Sequence, residues 1–178
     1  MGSPKAFALL QGKPLIQHVA ERLAPLFQQV YVVTRETEAF TTLGLPVITD
    51  TTPQKGPLAG LYAGLVQSQA PWCFAVGCDM PFTAQAIVRY LARFLLRGDI
   101  VAGRILEQDQ PLPAFYSRRC LPHAQQLLSE GNTSLRALMK SCKTFIIPEE
   151  ELRPLDRDLR TFLDLDTPQQ LAAVVREG

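Results

Sequence analysis

The chain has 178 residues, a length that suits one domain able to bury about 70% of the surface its unfolded form exposes. Lysine plus arginine number 18 against 17 aspartate plus glutamate, and the net charge of +1 gives no global case for a nucleic-acid or anionic-membrane partner, so any anion site must be local. No apolar run approaches the ~20 residues of a membrane span, and the first residues carry no signal-peptide pattern. The four scattered cysteines, Cys73, Cys78, Cys120 and Cys142, form no CxxC pair and read as buried free thiols of a cytoplasmic protein.

Apolar residues at Leu15, Ile16, Val19, Leu23, Leu26 and Phe27 recur at helical spacing and predict an amphipathic helix over 15–27, with Pro25 imperfect near its end. Residues 30–33 and 47–49 are short β-rich runs, separated by a polar, helical stretch over 36–43. A helix over 58–66 follows the Gly56 and Pro57 turn and leads through Ala70 and Pro71 into the run 72–76. That run is too short for a helix and apolar on both faces, as a central strand buried inside a parallel sheet should be.

Ile87, Val88, Leu91, Phe94 and Leu95 make residues 84–96 the clearest amphipathic helix, which Gly98 ends before a strand at 100–102. Pro111 and Pro113 remove two ladder donors, so residues 114–116 predict an edge strand. Helices over 121–129 and 134–140, joined by Gly131 and Asn132, precede a strand at 144–147. The charged stretch 149–160, with Pro154, reads as a surface loop or short helical turn. Residues 162–165 alternate as a brief strand, and the chain closes on a helix capped by Asp166 or Thr167, with Leu171, Ala172 and Val175 on one face. Alternating strands and helices predict a single three-layer α/β/α domain, Rossmann-like, with a mostly parallel sheet.

The stretch WCFAVGCDMPF, residues 72–82, places Asp79 just past the carboxyl end of a strand, the edge at which open α/β sheets bind ligands. A lone carboxylate there suits Mg²⁺, which takes one or two carboxylates plus substrate phosphates and waters. The alternative is a helix cap, but Pro81, Phe82 and Thr83 intervene and Thr83 is the better cap. Three further segments converge on the same edge if strands and helices alternate. In DTTPQKGPLAG, residues 50–60, Gly56 lets backbone amides approach a ligand, and Asp50 either accepts hydrogen bonds from a base or sugar or serves as a turn residue. In MGSPKA, Lys5 is placed to neutralise phosphate, or is simply solvated. In FLDLDTP, residues 162–168, Asp164 is open to metal or substrate, whereas Asp166 reads as a cap. His18 and His123 lack partners at metal spacing, and no GxSxG, GxGxxG or complete Walker loop is present.

Together these segments resemble the molybdenum cofactor guanylyltransferases of the MobA-like nucleotidyltransferase group. MGSPKA is similar to the end of that family's LAGGxSxRMGxDKA signature and LQGKPLIQHV to the segment after it. GPLAGL, CDMPF, QPLPAFY at 110–116 and GNTSLRALM at 131–139 match in order across nearly the whole chain. The resemblance implies a nucleotide-diphospho-sugar transferase-like fold and Mg²⁺-dependent transfer of GMP from GTP to molybdopterin, with pyrophosphate released. It further implies that Lys5 and Asp79 are catalytic, that Lys5, Asp50, Gly56, Pro57 and Asp79 bind the nucleotide, and that Asp79 holds the metal. Gln110, Arg136 and Asp164 fall on the acceptor side. Molybdoenzymes or their maturation chaperones are the implied protein partners, and the chain itself is expected as a monomer or weak homo-oligomer.

Two departures qualify the match. The LAGG half of the signature and the strand before it precede Met1, so the sheet is expected to lack a strand. FLDLDTP also stands where the family shows a pattern like NxNTPEDL, which exchanges neutral donor-acceptors for acceptor-only anions at Asp164 and Asp166. These departures keep two other expectations open: a CTP-using or otherwise redirected nucleotidyltransferase, and a non-catalytic partner in cofactor maturation.

Overall fold

The computed structural model describes residues 5–165 and 170. The expected C-terminal helix and its cap at Asp166 or Thr167 lie outside the described residues. After a 3-10 turn at Lys5–Phe7 comes a hairpin of β1 (Leu9–Leu10) and β2 (Lys13–Pro14). Nothing in the apolar spacing marks this hairpin; its signal is the Gln11 and Gly12 pair between the two strands. Then follow α1 (Leu15–Leu23), β3 (Val32–Thr34), α2 (Thr37–Phe40), β4 (Val47–Thr49), α3 (Pro57–Ser68), β5 (Trp72–Ala75) and α4 (Gln85–Ala92). The order continues through β6 (Ile100–Ile105), β7 (Gln108–Ser117), α5 (Leu121–Ser129), α6 (Leu135–Ser141), β8 (Thr144–Ile147) and α7 (Glu149–Leu152), with a last 3-10 turn at Arg160–Phe162.

Helix boundaries follow local chemistry. Pro25 lies in the 3-10 turn Ala24–Leu26, so α1 stops earlier than the apolar spacing predicts. The helix expected to reach residue 96 instead ends at Ala92, because Arg93 and Phe94 donate to Tyr90 and Leu91 three residues back and tighten the last turn. Thr83 is not the cap of α4. Its hydroxyl donates to the Met80 carbonyl at 2.9 Å, and the Ala84 amide donates instead to Thr161 Oγ1 at 3.0 Å. Residues 162–165 form no strand; the Phe162 and Leu163 amides close 3-10 bonds to Leu159 and Arg160.

The ladders fall into a parallel pair, β3–β4, and a four-stranded mixed sheet in the order β5-β7-β6-β8. β6 and β8 are parallel, while β7 runs antiparallel to both β5 and β6. Two expectations are corrected here. The strand at 114–116 is no edge strand: it belongs to β7, ten residues long and central. Its prolines are tolerated because pairing to β6 jumps from Ala102↔Ala114 to Arg104↔Asp109, which leaves Pro111 and Pro113 inside a bulge with no ladder bond to supply. The Tyr116 hydroxyl closes that bulge by donating to the Pro111 carbonyl at 2.6 Å. Conversely, β5 is not a central parallel strand. Among the described residues it pairs only with β7, at the edge of the four-stranded sheet, and it is half-buried along its length.

Side-chain alternation assigns the layers. Cys73, Ala75, Ile100, Ala102, Ala114 and Tyr116 face α3, α5 and α6. Trp72, Phe74, Val101, Phe115 and Ile147 face α1, α4 and α7. On that second face Phe27, Phe74 and Phe115 pack ring against ring, with Phe74 and Phe115 4.9 Å apart, and the buried Phe115 contributes about 2–3 kcal/mol. Helix α1 reaches both sheets, since Ile16 packs with Val32 and Val19 with Phe115's cluster. Helix α3 likewise packs across β3, β4 and β5. The two helices therefore hold the separate sheets in one α/β/α sandwich.

Candidate active site

The site grows from the turn after β5. The Met80 amide donates to the Gly77 carbonyl at 3.2 Å, folding residues 77–80 into a tight turn that projects Asp79 beyond the sheet edge. Gly77 makes this possible by its bare α-carbon: a Cβ there would collide with Asp79 Oδ1 and press on the Met80 side chain. Sequence reasoning passed over Gly77, although its position two residues before the carboxylate is the signal. On the far side, the Leu165 amide donates to the Asp79 carbonyl at 2.9 Å. That bond ties the segment carrying exposed Asp164 to the Asp79 turn, a convergence of two of the expected site residues.

Lys5 reaches the same turn. Cys78 packs with the cluster of Ala6, Ile16, Val32 and Phe40, directly after Lys5 in the chain. Burial, reinforced by the neighbouring Asp79 carboxylate, pushes the Cys78 thiol up to about 11, while the Lys5 ammonium pulls the other way. Both charges are thus close enough to act on one thiol, a cation and an anion near Cys78. The unfolded thiol titrates near ~8.5, so this group's contribution to stability is complete below that pH and is lost as pH rises through the folded value. Iodoacetamide at pH 8.5 is expected to label Cys78 about a hundredfold more slowly in the folded chain than in urea, as peptide mass mapping of the adduct would show. Similar rates would mean that the thiol is not held by its surroundings.

Asp50 follows β4 and is buried. Its Oδ1 accepts from the Thr52 amide at 2.9 Å and the Thr52 hydroxyl at 2.5 Å, an Asx turn, and its Oδ2 lies 3.9 Å from Arg35. Arg35 also donates to the carbonyls of Thr52 and Gln54. Of the two roles expected for Asp50, the turn is the one whose contacts are visible. Arg35, which sequence reasoning missed, fixes the loop, and its place one residue after β3 was the available cue.

Gly56 caps α3 at φ +145°, and a Cβ on it would lie 2.7 Å from Thr133 Cβ and Oγ1. The bare face of this glycine is filled by Thr133. Next to it the Leu58 amide donates to the Thr133 carbonyl at 3.2 Å, so the Gly56 and Pro57 turn is locked to the segment before α6. Ser134 caps α6 through the Ala137 amide, and Asn132 Oδ1 accepts from the Ser134 amide. This arrangement sets exposed Arg136 on the first turn of α6.

Gln110 lies in the half of β7 that runs past the end of β5, and its amide donates to the Gln108 carbonyl. The structure therefore gathers two groups: Lys5, Asp79 and the Asp164 segment, and Gly56, Pro57 and the Arg136 segment. Asp50 is held within its own loop and has no side-chain bond to either group. Among the described residues, no three His, Cys, Asp or Glu side chains gather as a metal cage. Neither histidine joins the site, since His18 donates to the Leu10 carbonyl and His123 is exposed on α5.

The chain is similar to known proteins over nearly all of its length. The chain is 31% identical, over all of its length and 86% of the relative's, to the molybdenum cofactor guanylyltransferase of Syntrophotalea carbinolica. It is 30% identical to that of Vibrio cholerae over 96% of this chain and 82% of the relative. The crystal structure of molybdopterin-guanine dinucleotide biosynthesis protein A from Archaeoglobus fulgidus superimposes with a TM-score of 0.86 at 24% identity, covering 99% of this chain and 91% of that one. Residues 1–145 match the MobA-like NTP transferase domain, and the chain belongs to that family of nucleotidyltransferases.

Proposed function

We propose that the protein transfers GMP from GTP to molybdopterin, releasing pyrophosphate, with Mg²⁺ held at Asp79. The observation that carries this reading is the meeting of Lys5, Asp79 and the Asp164 segment at the carboxyl edge of β5. The donor set fits a hard cation: Asp79 supplies oxygen, Asp164 stands on the adjoining segment, and Cys78 stays a neutral thiol at neutral pH. When bound there, Mg²⁺ would neutralise phosphate charge during the transfer.

In the reaction an oxygen of the acceptor's terminal phosphate bonds to the α-phosphorus of GTP, while the bond to the β-bridging oxygen breaks and pyrophosphate leaves with the electron pair. A phosphate monoester is already largely ionised at pH 7, so no general base is needed to generate the nucleophile. The absence of a histidine from the site, among the described residues, suits that economy. The chain's own work is alignment and charge neutralisation. Lys5 stabilises the triphosphate, the Asp50 loop positions the nucleoside, and Gln110 and Arg136 orient the acceptor.

Calorimetric titration with GTP, CTP and ATP, with and without Mg²⁺, tests the reading. Tightest binding of GTP that depends on Mg²⁺ is expected, followed by pyrophosphate release when molybdopterin is added. Preference for CTP, or GTP binding without turnover, would redirect the assignment to a related transferase or a non-catalytic maturation partner. The carboxylate at Asp164 favours one further reading, a less anionic acceptor, because it would repel a phosphorylated one. Lys5→Gln is expected to weaken GTP binding about tenfold while leaving acceptor binding nearly unchanged. Equal loss for both ligands would point to a folding defect instead.

A further inference from the structure

A concave site lies on the flank of α1. A cavity of about 230 Å³ is lined by Leu10 and Gln11 of the hairpin, His18 and Arg22 of α1, Pro81 and Phe82 of the turn after Asp79, and Arg160. None of its basic residues belongs to the nucleotide or acceptor groups described above. Its chemistry is that of an anion site. His18 and Arg22 are four residues apart on one face of α1, and Arg160 approaches from a different part of the chain.

Arg160 is already positioned. Its guanidinium stacks 4.0 Å from the Phe82 ring centroid, which leaves the in-plane N–H groups as the donors for an oxyanion. Among the described residues, neither Arg160 nor Arg22 has a carboxylate partner. The acid beside Arg22 on α1, Glu21, is held by Lys13 at 2.7 Å. His18 is fixed as well, since Nε2 donates to the Leu10 carbonyl at 2.8 Å and leaves Nδ1 as its other polar atom. Two guanidinium groups lining one cavity, one of them held on Phe82, suit a dianion. The volume is below the roughly 300 Å³ at which pockets begin to enclose drug-sized ligands, so the space suits a phosphate group rather than a whole nucleotide.

We propose that this cavity binds a small phosphate-type dianion, at a site separate from Lys5 and Asp79. The ligand would rest on Pro81 and Phe82, immediately after the turn that carries Asp79. Free phosphate and the phosphate group of a bound small metabolite share the required chemistry. The assignment rests on the cavity and not on the transferase reading.

Inorganic phosphate, titrated calorimetrically into the metal-free full chain, is the probe. Saturable binding in the millimolar range or tighter is expected, weakened about tenfold or more by Arg22→Gln combined with Arg160→Gln, and unchanged by Lys5→Gln. Arg22→Gln alone, on an exposed helix face, should show part of the loss and guards against misfolding by the double variant; circular dichroism checks both. In turnover assays, competition between phosphate and the acceptor would identify a substrate phosphate as the ligand, and non-competitive behaviour would identify a free anion. No saturable binding, equal binding by the folded double variant, or loss caused by Lys5→Gln would overturn the proposal.

Discussion

Asp79→Ala is expected to lower the proposed Mg²⁺-dependent guanylyl transfer by about a thousandfold or more and to leave the melting temperature nearly unchanged. The size follows from the role proposed for it: a carboxylate holding a charge-neutralising cation would supply several kcal/mol in the transition state, and each ~1.4 kcal/mol is tenfold in rate. The small effect on stability follows from position, since Asp79 sits in a loop turn after β5 and the bond from Leu165 uses its backbone carbonyl. Gly77→Ala is the companion variant. A Cβ at 77 would collide with Asp79 Oδ1, so the carboxylate must swing away while the charge is kept. Weakened Mg²⁺ dependence in both variants, measured by initial rates across a metal titration, is the expected pattern. Full activity in Asp79→Ala would remove the residue from metal binding, and full activity in Gly77→Ala alone would show that the carboxylate can act from another rotamer.

The elements that sequence periodicity reveals are those whose partners are local. Helix α5 and strand β8 match their expected bounds because their patterns of Leu, Ala, Ile and Phe are uninterrupted. Residues 72–75 read correctly as a strand, but their place in the sheet did not follow from apolarity. Burial on two faces says nothing about which edges carry ladder bonds, and among the described residues β5 has only β7 beside it. The length of β7 was hidden by Pro111 and Pro113, whose meaning depends on a bulge in the pairing with a different strand. The cap of α4 was hidden for a similar reason, because the oxygen that accepts from Ala84 comes from Thr161, 77 residues away.

The candidate site shows the same division. Asp79 was legible as a carboxylate at a strand end, and motif order brought in Lys5, but the structure adds what lies between them. Cys78 is the residue on which both charges act. Gly77, Arg35 and Thr133 were missed because each works through a contact distant in sequence or through the space that a side chain would occupy. The loops carrying candidate ligands are therefore held by residues that no short motif singles out.

Gly56→Ala is the strongest test of that statement. The substitution forces a side chain into φ +145°, outside the range that L residues readily adopt, and drives its Cβ to 2.7 Å from Thr133. Backbone strain and overpacking together should cost about 2–4 kcal/mol, a fall in melting temperature of roughly 4–16 °C for a domain of this size. Thr133→Gly removes the colliding atoms and keeps the carbonyl that accepts from Leu58. In the double variant the steric part of the loss should return, giving a favourable coupling of about 1–3 kcal/mol, whereas the strain at residue 56 should remain. Urea denaturation of the four chains of this cycle measures both quantities. Because the contact locks the nucleotide loop to the helix carrying Arg136, Gly56→Ala should also raise KM for GTP and for the acceptor together. Strictly additive losses, with KM affected for one substrate alone, would show that the two loops act independently.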